Sequence, residues 1–168
     1  MDRGYIQLNK KSFLHNIEVL KNLSRKELCL VVKANAYGHG LKWAVKNAKE
    51  SAIKWFAVAS VDEGMQVKKV YEESQVLLLA EPSITQLDNV KENNIDLTVY
   101  NESFIDTLIE TGDEYSVHLK IDTGMHRLGC PPERFYDLYK KIVDSNLNLI
   151  GICTHFPMAD TDQTETKK

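Results

Sequence analysis

Six short apolar runs, separated by longer amphipathic stretches, constrain the fold of this chain more than any other feature of its sequence. Each run is rich in aliphatic and β-branched residues and is mostly continuous rather than alternating, which is typical of strands buried on both faces of a parallel sheet. The predicted strands are residues 28–32, 56–59, 76–80, 97–99, 117–121 and 149–153.

The stretches between these runs carry helix start signals. Ser60 and Ser83 are each followed three residues later by an acid or an amide, Glu63 and Gln86, which is the pattern of a capping box. Asn101 stands where it can cap another amphipathic helix. Strand and helix therefore alternate six times, which predicts an α/β fold of parallel strands joined by right-handed crossovers.

Two architectures fit this alternation, a doubly wound open sheet and a (β/α)8 TIM barrel, and periodicity alone does not separate them. A full barrel takes about 250 residues, whereas this chain has 168. Its length therefore favours an incomplete TIM barrel with about six of eight βα units. We expect residues 1–168 to form one truncated domain.

The composition indicates an ordinary globular protein, with 43% hydrophobic and 27% charged residues. A net charge of -3 gives no reason to expect nucleic acid or an anionic membrane as a partner. No apolar run reaches the ~20 residues of a membrane span, and the N-terminus does not resemble a signal peptide. Three cysteines without C-x-x-C spacing predict neither a disulfide framework nor a metal site. A cytoplasmic location is the expectation.

Lys33 follows the first predicted strand directly. Burial disfavours a charged ammonium group, and a neutral amine is the nucleophile that forms Schiff bases with carbonyl compounds. The alternative is a lysine whose side chain extends out of the strand into solvent. Both interpretations stay open on these residues alone.

Two further strand ends carry polar residues, and ligands of parallel α/β proteins gather at such ends. The fifth strand runs from Lys120 into a glycine-bounded loop that contains Asp122 and Arg127. These two side chains are candidates either for ligand binding or for pairing with each other or with water. His155 follows the sixth strand, and a histidine there is more often structural than catalytic.

The same three segments resemble the alanine racemase family. V-K-A-N-A-Y-G-H-G at residues 32–40 is similar to the cofactor signature of that family. K-I-D-T-G-M-H-R-L-G at residues 120–129 and T-H-F at residues 154–156 resemble two further blocks, in the family's order. The A-Y-G-H-G continuation makes the match more specific than K-A-N alone, which related barrel decarboxylases share.

The resemblance implies a barrel that binds pyridoxal 5'-phosphate (PLP) and is followed by a β-rich domain. Lys33 would hold the cofactor as a Schiff base, and Tyr37 would hydrogen-bond its phosphate. Arg127 would lie near the phenolic oxygen and His155 near the pyridine ring, while Lys120 matches a lysine that some members carbamylate. Relatives often have glycine where this chain has His126, which leaves the substrate open between alanine, serine and another small amino acid.

In this family a lysine serves one face of the substrate, and a tyrosine from the second domain of the partner subunit serves the other. The expected function is therefore the N-terminal part of a homodimeric alanine racemase that supplies D-alanine for peptidoglycan. Residues 1–168 alone are expected to have little activity, because the second base lies elsewhere. The alternatives are a serine racemase, including one fused to a membrane segment, a PLP-carrier barrel and a PLP decarboxylase.

Overall fold

A computed structural model describes residues 4–161 and 163–166 of the chain. The chain divides into two compact units at the boundary between Ile95 and Asp96. Among the helices of these described residues, none combines the length and the apolar character that a membrane crossing requires.

The first unit is a run of three parallel strands with helices between them. Strand β1 pairs with β2, and β2 pairs with β3, both in parallel register. Its elements are α1 (Lys10–Ser24), β1 (Cys29–Val31), the short helical turn α2 (Lys33–Tyr37), α3 (Leu41–Glu50), β2 (Trp55–Val58), α4 (Val61–Val70), β3 (Gln75–Leu78), a 3-10 turn (Ile84–Gln86) and α5 (Leu87–Glu92).

The second unit repeats the arrangement, with β4 beginning at the boundary residue. Strand β4 pairs with β5, and β5 pairs with β6, again in parallel, with a register shift between Val117 and His118. Its elements are β4 (Ile95–Val99), α6 (Glu102–Glu110), β5 (Ser116–Lys120), a 3-10 turn (Pro132–Arg134), α7 (Phe135–Val143), β6 (Asn148–Cys153) and the short α8 (Gln163–Thr166).

All six predicted strands are confirmed, as is their alternation with helices. In each unit the strands lie side by side in chain order. A doubly wound sheet instead reverses its strand order at a switch point. The sequential order therefore favours the barrel over the doubly wound sheet.

The prediction that every strand is buried on both faces is wrong for β1 and β6. Strands β2 and β4 are largely buried, whereas Val31 in β1 is 37% exposed and Ile152 in β6 is 53% exposed. Within the described residues of their units, β1 and β6 each pair with a strand on one side only. Side chains at such an edge lack the neighbours that a further strand would supply.

The predicted helix starts are confirmed in position but not in all their bonds. The Ser60 hydroxyl accepts a hydrogen bond from the Glu63 N–H at 3.3 Å, as a capping residue should. Ser83 accepts from the Thr85 N–H instead. Asn101 is the N-cap of α6, although its side chain makes no capping bond to the first turn.

Gly151 in β6 and His118 in β5 are cross-strand partners. A Cβ atom at position 151 would overlap Nδ1 of His118 and lie 2.7 Å from its Cε1. Burial lowers the pKa of His118, so the ring is neutral at pH 7. Only glycine at position 151 leaves room for the imidazole in this register.

We expect Gly151→Ala to destabilise the protein by about 1–3 kcal/mol, the usual cost of overpacking. The measurement is the free energy of unfolding from urea denaturation. Gly4→Ala is the matched control, because a Cβ there meets no atom within 4 Å. In the double variant His118→Ala/Gly151→Ala, the added methyl group no longer meets the imidazole. If the free energy of unfolding of this variant falls by as much as the sum of the two single changes, the steric explanation fails.

His118 also predicts a pH dependence of stability. Because its pKa is lowered from 6.5 in the folded protein, the unfolded chain binds a proton that the folded chain resists. The histidine contribution is therefore constant above pH 6.5 and weakens as the pH falls below it. Urea denaturation between pH 5 and 8 should show the free energy of unfolding falling with pH below 6.5. His118→Gln should make this fall smaller. An unchanged fall in that variant would assign it to other groups.

Candidate active site

Lys33 is the first residue of α2 and follows the buried Val32, which separates it from the end of β1 at Val31. The lysine therefore lies two residues after the strand, one residue further than the sequence predicts. Its side chain is half-buried rather than extended into solvent. Among the described residues of the first unit, none forms a hydrogen bond or an ion pair with its amine. The amine is therefore available to a ligand.

The turn that Lys33 begins is left-handed. Residues 34–37 all have φ between 51° and 55° without being glycine, and Gly38 continues the run at 85°. The Gly38 N–H donates to the Ala34 carbonyl at 3.1 Å, and the Gly40 N–H donates to the Asn35 carbonyl at 2.9 Å. A left-handed helical conformation costs L-residues about 1–2 kcal/mol each. Strain of this kind concentrates at functional sites, which marks the turn as a candidate site by itself.

Two polar side chains stabilise the ends of this turn. The Glu63 carboxylate accepts the Ala34 N–H at 2.7 Å and the Ala59 N–H at 3.0 Å. Asn35 Oδ1 accepts the Leu41 N–H at 2.8 Å and so caps α3 from within the turn. Sequence reasoning missed both roles, although the capping-box pattern had drawn attention to Glu63.

Tyr37 ends the left-handed turn and is 60% exposed. Its ring lines a small apolar pocket together with Val31 and Trp43. The first unit thus carries Lys33 and Tyr37 on one strained turn. The remaining candidates, Lys120, Arg127 and His155, all lie in the second unit.

Lys120 is the last residue of β5, and the loop after it is closed at its base. The Cys130 N–H donates to the Lys120 carbonyl at 2.8 Å, and the Asp122 N–H donates to the Cys130 carbonyl at 2.9 Å. Gly129 has φ 135°, and a Cβ there would lie 2.5 Å from the Asp122 nitrogen. The loop therefore needs glycine at this position.

Asp122 organises the interior of the loop. Its Oδ1 accepts the N–H groups of Gly124 and His126, both at 3.0 Å, and its Oδ2 lies 3.3 Å from Nδ1 of His126. The backbone bonds from His126 and Gly124 hold the pKa of Asp122 below its usual value. His126 has φ 52°, a conformation that glycine adopts without strain.

The alternative that Arg127 pairs with Asp122 is wrong, because His126 and the loop backbone occupy that carboxylate. Arg127 is exposed. Among the described residues of the second unit, none forms an ion pair with its guanidinium group. The exposed guanidinium group is therefore not used within the loop, and its role in ligand binding stays a prediction.

A pair of hydroxyl groups joins the loop after β5, which carries Arg127, to the end of β6. The Thr123 and Thr154 hydroxyls are 2.7 Å apart, and Thr154 also donates to the Ile121 carbonyl at 2.8 Å. His155, the next residue, is exposed. The second unit thus brings together the loop that carries Arg127 and the strand end that carries His155.

The described parts of the chain contain no cluster of three or more His, Cys, Asp or Glu side chains that could hold a metal ion. The three cysteines are free thiols. Burial raises the pKa of the Cys130 thiol.

The loop geometry predicts that Asp122→Ala speeds trypsin cleavage after Arg127 at pH 7 by about fivefold or more. Two backbone N–H groups lose their acceptor, so the loop opens more often. Because the pKa of Asp122 is lowered from 3.8, its contribution in the unsubstituted protein is present above that pH and is lost only in stronger acid. Cleavage is followed by mass spectrometry, with Asp144→Asn as the control; equal rates in all three proteins would contradict the prediction.

Comparison with known sequences supports one family. The family described as "Alanine racemase, N-terminal domain" matches residues 8–168. An alanine racemase of Treponema denticola is 34% identical over 157 residues, covering 89% of this chain and 41% of the relative. An amino-acid racemase of Enterococcus faecalis is 33% identical over 162 residues, covering 95% of this chain and 23% of the relative. The chain thus spans less than half of the length of the curated relatives it matches.

Solved structures agree with this comparison. The crystal structure of alanine racemase from Oenococcus oeni matches with a TM-score of 0.87 and 27% identity, over 96% of this chain and 49% of that one. A histidine racemase from Leuconostoc mesenteroides matches with a TM-score of 0.86 and 25% identity, over 94% and 44% of the two chains. The six parallel strands and their helices therefore correspond to part of an alanine racemase TIM barrel, and the chain belongs to the alanine racemase N-terminal domain family.

Proposed function

We propose that this chain is the cofactor-binding part of a PLP-dependent amino-acid racemase, with alanine as the favoured substrate. The observation that carries the proposal is the half-buried Lys33 amine on a left-handed turn. The family of the chain adds the chemistry that such an amine would serve. In its cellular role the protein would provide D-alanine for peptidoglycan from the cytoplasm, as a homodimer.

PLP has one aldehyde and a charged phosphate, and the candidate residues of each unit carry groups that would serve these functions. Lys33 would attach to the aldehyde carbon, and the exposed Tyr37 hydroxyl would donate to the phosphate. Arg127 would donate to the phenolic oxygen, and the His155 ring would lie near the pyridine. Lys120, half-buried at the end of β5, would support the loop that carries Arg127.

Racemisation removes the proton from Cα on one face of the amino acid and returns a proton on the other. When bound, PLP supplies the electron sink for the negative charge that develops at Cα. The Lys33 amine is the proposed base at one face, where it takes the proton from Cα or gives one back. We assign the base at the opposite face to a segment outside these 168 residues, contributed by a partner subunit.

A racemase for another amino acid is the second candidate, and the match to a histidine racemase at a TM-score of 0.86 favours it. His126, in the loop beside Arg127, is the position where this chain departs from the glycine of many relatives. The two candidates share the cofactor chemistry and differ only in the side chain that the site accepts.

The cofactor assignment predicts that Lys33→Ala abolishes the visible absorbance of lysine-bound PLP, because no other amine occupies the end of β1. Lys46→Ala, an exposed lysine of α3, is the matched control and should keep the absorbance. Circular dichroism verifies that both variants fold. Undiminished absorbance in Lys33→Ala would remove Lys33 from the site.

The substrate assignment is tested on the full-length protein with a panel of L-amino acids that includes alanine, serine and histidine. We expect the highest kcat/KM for alanine, measured as the loss of optical rotation or by chiral chromatography. A tenfold preference for serine or histidine would establish the second candidate. The variant His126→Gly shows whether this residue contributes to the preference.

A further inference from the structure

One carboxylate, that of Glu63, accepts hydrogen bonds from the ends of two neighbouring strands. Oε1 accepts the Ala34 N–H at 2.7 Å, and Oε2 accepts the Ala59 N–H at 3.0 Å. Ala34 follows Lys33, and Ala59 follows β2 directly. Glu63 itself stands in the first turn of α4. The side chain therefore ties the backbone beside Lys33 to the end of β2.

The Ala34 N–H has no partner within its own turn. Backbone N–H groups that donate to carbonyl groups of the turn or of the residue before it include those of Ala36, Gly38, His39 and Gly40, whereas the first N–H groups of any helical segment lack intrahelical acceptors. A hydrogen bond to an ionised acceptor is roughly twice as strong as a neutral one. Glu63 thus supplies the bond that the left-handed turn needs at its first residue of positive φ.

We propose that Glu63 is a positioning residue for the Lys33 amine, an inference that rests on the proposed function of Lys33 as the cofactor lysine. Glu63 acts through the backbone. The peptide unit between Lys33 and Ala34 is planar, so fixing the Ala34 nitrogen fixes the orientation of the Lys33 carbonyl as well. The Cα atom of Lys33 lies in the same plane, so the bond also restrains the atom from which the Lys33 side chain leaves the main chain.

The chemistry requires a carboxylate at position 63 rather than an amide. Both oxygens of glutamate accept, whereas glutamine has one accepting oxygen and one donating NH2 group. In Glu63→Gln the NH2 group must face one of the two N–H donors. Glu63→Asp keeps the charge but shortens the side chain by one methylene, so it serves as the second variant.

The first measurement is amide hydrogen exchange on the full chain by NMR, and it does not depend on the cofactor. Exchange at Ala34 or Ala59 should become at least tenfold faster in Glu63→Gln. Two controls separate this from damage to α4: Ser60→Ala removes the α4 cap, and Asp62→Asn removes the neighbouring charge. Both should stay within threefold of the unsubstituted protein, and an equal effect of Ser60→Ala would overturn the proposal.

The second measurement is the reactivity of the Lys33 amine, located by mass spectrometry after reduction with borohydride. In Glu63→Gln, attachment of PLP to Lys33 should slow at least tenfold. Methylation of Lys33 by formaldehyde should instead rise at least threefold relative to the exposed Lys46, because a loosened turn exposes the amine. In Glu63→Asp, the rates of PLP attachment and of methylation at Lys33 should lie between those of the unsubstituted protein and those of Glu63→Gln.

The outcomes separate the two proposals. If exchange rises while both reactivities of Lys33 stay unchanged, Glu63 only caps the backbone and the positioning role is overturned. Suppose that Glu63→Gln shows the faster exchange and the faster methylation, but that PLP attaches to Lys33 neither in this variant nor in the unsubstituted protein. The positioning role then stands and the proposed function fails. Opposite changes in PLP attachment and methylation support both proposals together.

Discussion

The left-handed turn after β1 is the constraint on which the candidate site of the first unit depends. Four consecutive residues, Ala34 to Tyr37, hold positive φ, a conformation that L-residues otherwise visit singly. It persists because Glu63 satisfies its first N–H and Asn35 bonds to the Leu41 N–H that begins α3. The place of Lys33 is thereby set by main-chain hydrogen bonds rather than by contacts of its own side chain.

The second unit fixes its candidate residues in a comparable way. The loop after β5 is closed by the backbone bonds between Lys120, Asp122 and Cys130, and Asp122 holds the interior of the loop through two further N–H groups. Thr154 then connects this loop to the end of β6. Because this backbone is already ordered, little conformational entropy is lost when a ligand group binds to it.

The strands were predictable because a strand buried in a parallel sheet consists of consecutive apolar residues, as in β2 and β4. The left-handed turn was not, because Ala34 and Ala36 favour right-handed helices and the carboxylate that holds the turn comes from 29 residues away. The Ser60–Glu63 pattern correctly located the start of α4. Tertiary packing decides whether the carboxylate of Glu63 accepts a hydrogen bond from its own helix or from the Ala34 N–H. A local sequence pattern contains no information on that packing.

Acidic and basic groups are used differently among the candidate residues of each unit. The carboxylates, Glu63 in the first unit and Asp122 in the second, are engaged by backbone N–H groups. Within the described residues of each unit, Lys33 and Arg127 have no acidic partner. Engaging these acids by backbone N–H groups fixes the main chain in each unit and leaves the two basic side chains without a charge partner there.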